Sequence, residues 1–160
     1  MAAKKMPQER LHIRFAQERD LVKVDLIERS CFEGDLLSHR SLRNLLLRGN
    51  CSFFVAEMDQ AVIGYAISLY RRGSSLARLY SIAVASGYRG QGVAGRLLDA
   101  AEHEAQSRGC NTMRLEVRSD NIQALGLYQG RGYRRLGSRD GYYEDGESAE
   151  CLERTLVHPE

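Results

Sequence analysis

The chain has 160 residues and 18.0 kDa, 43% of them apolar, which is enough for one compact domain with a real core and cramped for two. Its 23 Lys and Arg stand against 21 Asp and Glu, a net charge of +2, so neither a nucleic acid nor an anionic membrane is called for as a partner. The longest mostly apolar stretch, 61–70, is about half of the roughly 20 residues that a membrane-spanning helix needs.

In chain order, residues 1–9 are expected to be a flexible extension ahead of a single domain. They carry no apolar run of the kind a secretory leader needs, so a cytoplasmic protein is expected. A short strand follows at 12–15, then a helix over 18–31 with Leu21, Val24, Ile27 and Cys31 at helical spacing. A second helix opens at Ser38, a good N-cap, carries Leu42, Leu45 and Leu46, and stops at Gly49. Strands at 51–57 and 62–71 form a hairpin, and a third at 78–84 makes an antiparallel meander. Beyond Ala85 the pattern changes to a loop, a long helix at 92–108, a strand at 112–117, a short helix at 121–129 and strand material to Leu156. Strand, helix, strand predicts a parallel crossover, so the fold class expected is α/β (α+β): one mixed sheet flanked by helices.

The 2 prolines, Pro7 and Pro159, sit near the ends, whereas the 15 glycines crowd the second half. Gly90, Gly92 and Gly95 fall in one segment, Arg89-Gly-Gln-Gly-Val-Ala-Gly-Arg96, between a strand and a helix. Small residues there let backbone N–H groups converge, and the unpaired first N–H groups of the helix favour a phosphate or pyrophosphate. Arg89 and Arg96 are candidates for added charge-assisted contacts, and a tight turn with solvated arginines is the alternative. The spacing is neither that of a P-loop nor that of the dinucleotide fingerprint. The four cysteines, Cys31, Cys51, Cys110 and Cys151, lie far apart and read as free thiols. His103-Glu104 lacks the second histidine of a zinc helix because Ser107 stands there, so no metal is expected.

Arg89-Gly-Gln-Gly-Val-Ala94, preceded by Leu79-Tyr-Ser-Ile-Ala-Val84 and followed by Leu115-Glu-Val-Arg118 and by Asn121, Ala124, Leu127 and Tyr128, resembles the GNAT acetyltransferase superfamily. The second half, with Tyr142-Tyr143 and Gly146, is most similar to the bacterial ribosomal-protein alanine N-acetyltransferases. The resemblance implies acetyl-CoA as donor, with its pyrophosphate on the backbone of Arg89, Gly90, Gln91, Gly92, Val93 and Ala94. It also implies that Ile82, Ala83 and Val84 line the acetyl-pantetheine arm where two strands splay, and that Asn121 contacts the cofactor. An apolar strand edge suits such an arm, because main-chain hydrogen bonds do the holding.

Acetyl transfer to an amine needs a neutral nucleophile, an oxyanion site and an acid for the departing thiolate. Glu116 points away from the apolar face formed by Met113, Leu115 and Val117. From its residues alone it is either a cross-strand partner of an arginine or a base; the resemblance implies general base. Tyr128 is either a half-buried aromatic with its hydroxyl at the surface or, as the resemblance implies, the acid. His39 and His103 are expected on solvated helix faces. Tyr88, Tyr133, Tyr142 and Tyr143 fit either the core or an acceptor groove. The function expected is an acetyl-CoA-dependent N-acetyltransferase acting on a primary amine, foremost the N-terminal α-amine of a protein or peptide. A small-molecule amine, an amino acid or an antibiotic is the alternative acceptor, and a CoA-binding domain without catalysis is a third reading.

Overall fold

A computed structural model describes residues 10–156; the predicted extension at 1–9 lies outside them. The elements are β1 (Leu11–Phe15), α1 (Leu21–Cys31), α2 (His39–Arg48), β2 (Cys51–Met58), β3 (Ala61–Tyr70), β4 (Leu76–Val84), α3 (Val93–Ser107), β5 (Thr112–Arg118), α4 (Ile122–Gly130), β6 (Arg134–Arg139) and β7 (Ala149–Thr155). The seven strands form one sheet in the order β1-β2-β3-β4-β5-β7-β6. The predicted meander and crossover are present: β1 to β4 pair antiparallel, and β4 pairs parallel with β5 across α3. Return of the chain through β7 places β6 on the edge and β7 beside β5, antiparallel to both.

The helix expected over 18–31 is shorter. Glu18–Asp20 form a 3-10 turn, because the Asp20 carboxylate accepts the Gln17 N–H at 2.7 Å and accepts from Nη1 and Nη2 of Arg14 at 2.8 and 2.9 Å, which fixes the entry ahead of Leu21. Ser38 caps α2 as predicted, its Oγ accepting from Ser41 N at 3.0 Å, and Gly49 ends it.

Alternation along each strand divides the core between two faces. Phe53, Val55, Tyr65 and Ile67 pack under α1 and α2 with Leu21, Val24, Ile27 and Leu42. Phe54, Ala66, Leu79, Met113, Leu115 and Leu152 pack under α3 with Leu97, Leu98 and Ala101. Gly64 allows α3 to seat closely: a Cβ there would lie 3.0 Å from the Ala83 oxygen and 3.2 Å from Leu97 Cδ1.

One irregularity shapes the site. Ile67 pairs with Ser81 and Ser68 with Leu79, which leaves Tyr80 as an extra residue in β4. Such a bulge bends and twists its strand. Parallel pairing between β4 and β5 ends at this point, at Leu79 opposite Leu115. Beyond it β4 stays with β3 and β5 with β7, so the two strands part and open a slot through the sheet.

Candidate active site

The slot is lined on one side by Ser81, Ile82, Ala83 and Val84, whose edge toward β5 has no ladder partner. Ile82 leans on the core under α3, and Ala83 lies under α1. The sequence-predicted arm residues thus flank the place where β4 and β5 part, and an unpaired strand edge there can accept an extended chain as a short substitute strand.

At the end of β4 the chain turns into α3 through Arg89 to Gly92. Gly90 and Gly92 hold φ of +77° and +80°, and Gly92 is the N-cap of α3. The first helical bond runs from Arg96 N to the Gly92 oxygen, so the N–H groups of Val93, Ala94 and Gly95 lie ahead of the ladder. Among the described residues, chain neighbours apart, nothing lies within 4 Å of where a Cβ would stand on Gly90 or Gly92, which leaves their backbone open to a ligand. An unobstructed turn of small residues leading to the positive end of a 15-residue helix fits a pyrophosphate. The side chains of Arg89 and Arg96, candidates for charge-assisted ligand contacts, make contacts within the protein. Arg89 bonds the Val84 oxygen and Cys31 Sγ, each at 3.2 Å, and Arg96 bonds the Leu11 oxygen at 3.2 Å. Two of these three acceptors are backbone carbonyls of strand-end residues. The cradle is therefore a backbone one, with Gln91 exposed at its tip.

Glu116 lies on the α1 and α2 face of β5, as alternation required. It does have an arginine partner across a strand boundary, and it is Arg78 of β4: Nε donates to Glu116 Oε2 at 3.1 Å, while Nη2 donates to the Tyr142 hydroxyl at 3.1 Å. Arg114, its neighbour on β5, goes instead to Glu153 at 2.9 Å. Tyr142 and Tyr143 pack edge to face at 5.0 Å in the loop between β6 and β7, and Arg118 lies over the Tyr143 ring at 4.9 Å. Burial pushes the Tyr143 phenol up to about 12; Tyr142, Glu116 and Asp35 add to the rise and Arg118 opposes it. Tyr143 thereby stands in the field of the candidate base and of the loop between α1 and α2.

Tyr128 is 5% exposed and belongs to the core under α3, so its hydroxyl is not the surface group that the pattern allowed. Burial raises its phenol, with the Tyr143 hydroxyl adding. Its ring meets Tyr133 edge to face at 5.5 Å, and the Tyr133 hydroxyl donates to Glu102 Oε1 at 3.0 Å. Tyr133 is thus core. Asn121 caps α4, its Oδ1 accepting from Ala124 N at 3.1 Å, so that oxygen is committed and its amide nitrogen is what remains for a ligand. His39 and His103 are exposed, as expected. Among the described residues no group of three or more His, Cys, Asp or Glu could hold a metal ion.

Sequence reading missed Arg78 and Asp35. Asp35, in the link between α1 and α2, holds φ of +56° and accepts the Glu144 N–H at 3.1 Å, while Glu144 Oε2 lies against Gly34. This joins two loops that are far apart in sequence over the face carrying Glu116. A positive φ in a non-glycine was the sort of feature only an Asp or Asn would hint at.

The model of the Acetyltransferase (GNAT) family matches residues 20–133. An N-acetyltransferase of Methanocaldococcus jannaschii is 36% identical over 138 residues, 86% of each chain. An N-alpha-acetyltransferase of Saccharolobus solfataricus is 33% identical over 66% of this chain and 70% of its own. The crystal structure of Ard1 from Thermoplasma volcanium superposes with a TM-score of 0.86 at 25% identity, covering 93% of this chain and 99% of that one. The ribosomal-protein-S18-alanine N-acetyltransferase of Escherichia coli matches with a TM-score of 0.81 at 26% identity, covering 94% and 96%. Likeness to the ribosomal-protein alanine enzymes in particular is therefore not singled out; the matches span several acetyltransferase subfamilies.

Proposed function

Since the chain belongs to the GNAT acetyltransferase family, an acetyl-CoA-dependent group acting on amines, we propose that its acceptor is the free α-amine at the N-terminus of a protein or peptide. The observation that carries this reading is the bond between Asp35 and the Glu144 N–H. We take the two joined loops to cover the face around Glu116, so that a chain end enters where the middle of a chain does not. Likeness to an N-alpha-acetyltransferase supports the same acceptor.

The roles we propose are these. Acetyl-CoA supplies an activated thioester, held by the backbone of Arg89 to Ala94 and the open edge of β4. Glu116 takes the proton that the amine nitrogen sheds as the C–N bond forms. Tyr128 gives its proton to the departing sulfur. Burial keeps Tyr128 protonated at working pH, so its proton is present when the sulfur departs. The four free cysteines suit a reducing compartment, and we place the reaction in the cytoplasm.

An acceptor screen with a thiol-release readout tests the proposal. Peptides beginning with Ala or Ser are expected to be turned over and their N-blocked forms not. Turnover of a polyamine or amino acid with no turnover of any peptide would overturn it.

A further inference from the structure

The Arg78 and Glu116 pair is more than a strut between strands. Arg78 is 40% exposed at its side chain and Glu116 10%, so the pair lies at the floor of the acceptor face with the cation on the open side. The other cations on that face of β5 are committed elsewhere: Arg114 to Glu153, Arg118 to Asp120 and Asp145. Around the pair stand Tyr142 and Tyr143 from the loop before β7, Tyr80 of β4 with Arg78 over its ring at 5.7 Å and, farther out, Asp35, while the buried Glu28 of α1 is held on the same face of the sheet by Tyr65 and Ser81. Among the described residues, then, the charge of Glu116 is balanced by one guanidinium, fixed by a second bond to Tyr142.

A lone carboxylate would draw in an ammonium group. A carboxylate already neutralised at 3.1 Å does not, and the guanidinium beside it repels a second cation in a partly dry setting. We propose that the Arg78 and Glu116 pair is the selectivity element of the acceptor site: it admits the amine in its neutral form and so favours an α-amine over a lysine ε-amine. An α-amine titrates at about 7.7 to 8.0 and lysine at about 10.4, so the neutral fraction at pH 7 differs by roughly 300-fold. The neutral nitrogen attacks the thioester carbonyl, the C–S bond breaks as the C–N bond forms, one N–H proton passes to Glu116, and the sulfur takes the Tyr128 proton. Arg78 acts through Glu116 and is a selectivity and positioning residue. The inference rests on the reading of Glu116 as the base.

Steady-state kinetics on wild type test it first, using propylamine and alaninamide alongside an Ala-peptide and an N-blocked lysine peptide. If only neutral amine enters, KM for the alkylamine falls about tenfold per pH unit between about pH 7 and about pH 8 while kcat stays flat. Arg78→Gln is expected to lower the α-to-ε ratio of kcat/KM about tenfold, equivalent to one pKa unit of preference, and to detach KM from pH. Arg78→Lys, which keeps the charge, retains both. A wild-type pH effect confined to kcat, or an unchanged ratio in Arg78→Gln with CoA binding intact, overturns the proposal. If Arg78→Gln fails to fold, the wild-type split and the Lys variant decide. Absence of any peptide turnover overturns the peptide acceptor alone, because the two small amines still report on Arg78.

Discussion

Glu116 and Tyr128 lie on opposite faces of the sheet, Glu116 toward α1 and α2 and Tyr128 in the core under α3, on either side of the slot where β4 and β5 part. In the proposed reaction a thioester lying in that slot would have Glu116 on one side as base and Tyr128 on the other as acid. Burial is the chief cause that raises the phenols of both Tyr128 and Tyr143, with each lying near a second group that adds to it, Tyr143 for Tyr128 and Tyr142 for Tyr143.

Glu116→Gln is expected to lower kcat about a hundredfold or more, in the range for loss of a general base, with CoA affinity unchanged. Titration calorimetry with CoA beside steady-state kinetics measures both. An equal loss of CoA binding would assign Glu116 to structure, as the partner of Arg78.

Tyr128→Phe keeps the ring and its edge contact with Tyr133, so the melting temperature should barely move. Turnover with acetyl-CoA should fall about a hundredfold. A donor whose thiol leaves as a stabilised anion needs no acid, so an aryl thioester should recover much of the lost rate. Failure of that recovery would remove Tyr128 from the acid role.

Gly92→Val places a β-branched residue at φ of +80°, where L side chains are strained by about 1–2 kcal/mol. Its Cβ would also enter the open space over the cradle. CoA binding should weaken more than stability does, as calorimetry and thermal melts on one sample would reveal. Unchanged affinity would make the loop a turn and no more.

Glu28 gives a pH prediction. It is 2% exposed on α1, accepts from Leu37 N at 3.1 Å and from the Tyr65 hydroxyl, and burial, with Asp25 adding, raises its carboxyl above the ordinary value. At low pH the proton is held in both folded and unfolded states and the fold bears no penalty. As pH rises through the folded value, ionising a buried carboxylate costs stability. Glu28→Gln does not titrate, so its melting temperature relative to wild type should be more favourable at about pH 8 than at about pH 5. A difference that shrinks as pH rises would contradict this.

Asp35→Ala removes the acceptor of the Glu144 N–H and unties the roof. KM for a peptide acceptor should rise severalfold, with CoA affinity and the rate on small amines retained. Paired kinetics on a peptide and a small amine distinguish this from general loosening.

Much of the architecture is legible in the chain. Helical spacing of Leu21, Val24 and Ile27, the cap at Ser38, the stops at Gly49 and Gly109 and the glycine turn before Val93 are local features, written in periodicity and backbone preference. Alternation along Thr112 to Val117 sufficed to put Glu116 on the face away from the core under α3. The shortened first helix was hidden because its cause, Arg14 on Asp20, is a contact between side chains that sequence spacing does not encode.

The rest was decided by tertiary structure. Which arginine meets Glu116 depends on strand order and register, and parallel pairing brought Arg78 from 38 positions away in preference to the adjacent Arg114. The slot depends on a single extra residue at Tyr80, whose bulge has no signature in residue type. Burial of Tyr128 and the bond of Asp35 to Glu144 likewise arise where segments distant in the chain meet. Backbone preference and hydrophobic period act over a few residues, and so the sequence by itself determined most of the elements, the glycine turn before α3 and the family. Pairing partners, local charge balance and dryness are set by chain segments brought together only on folding, and those are what turn the candidate residues into a site.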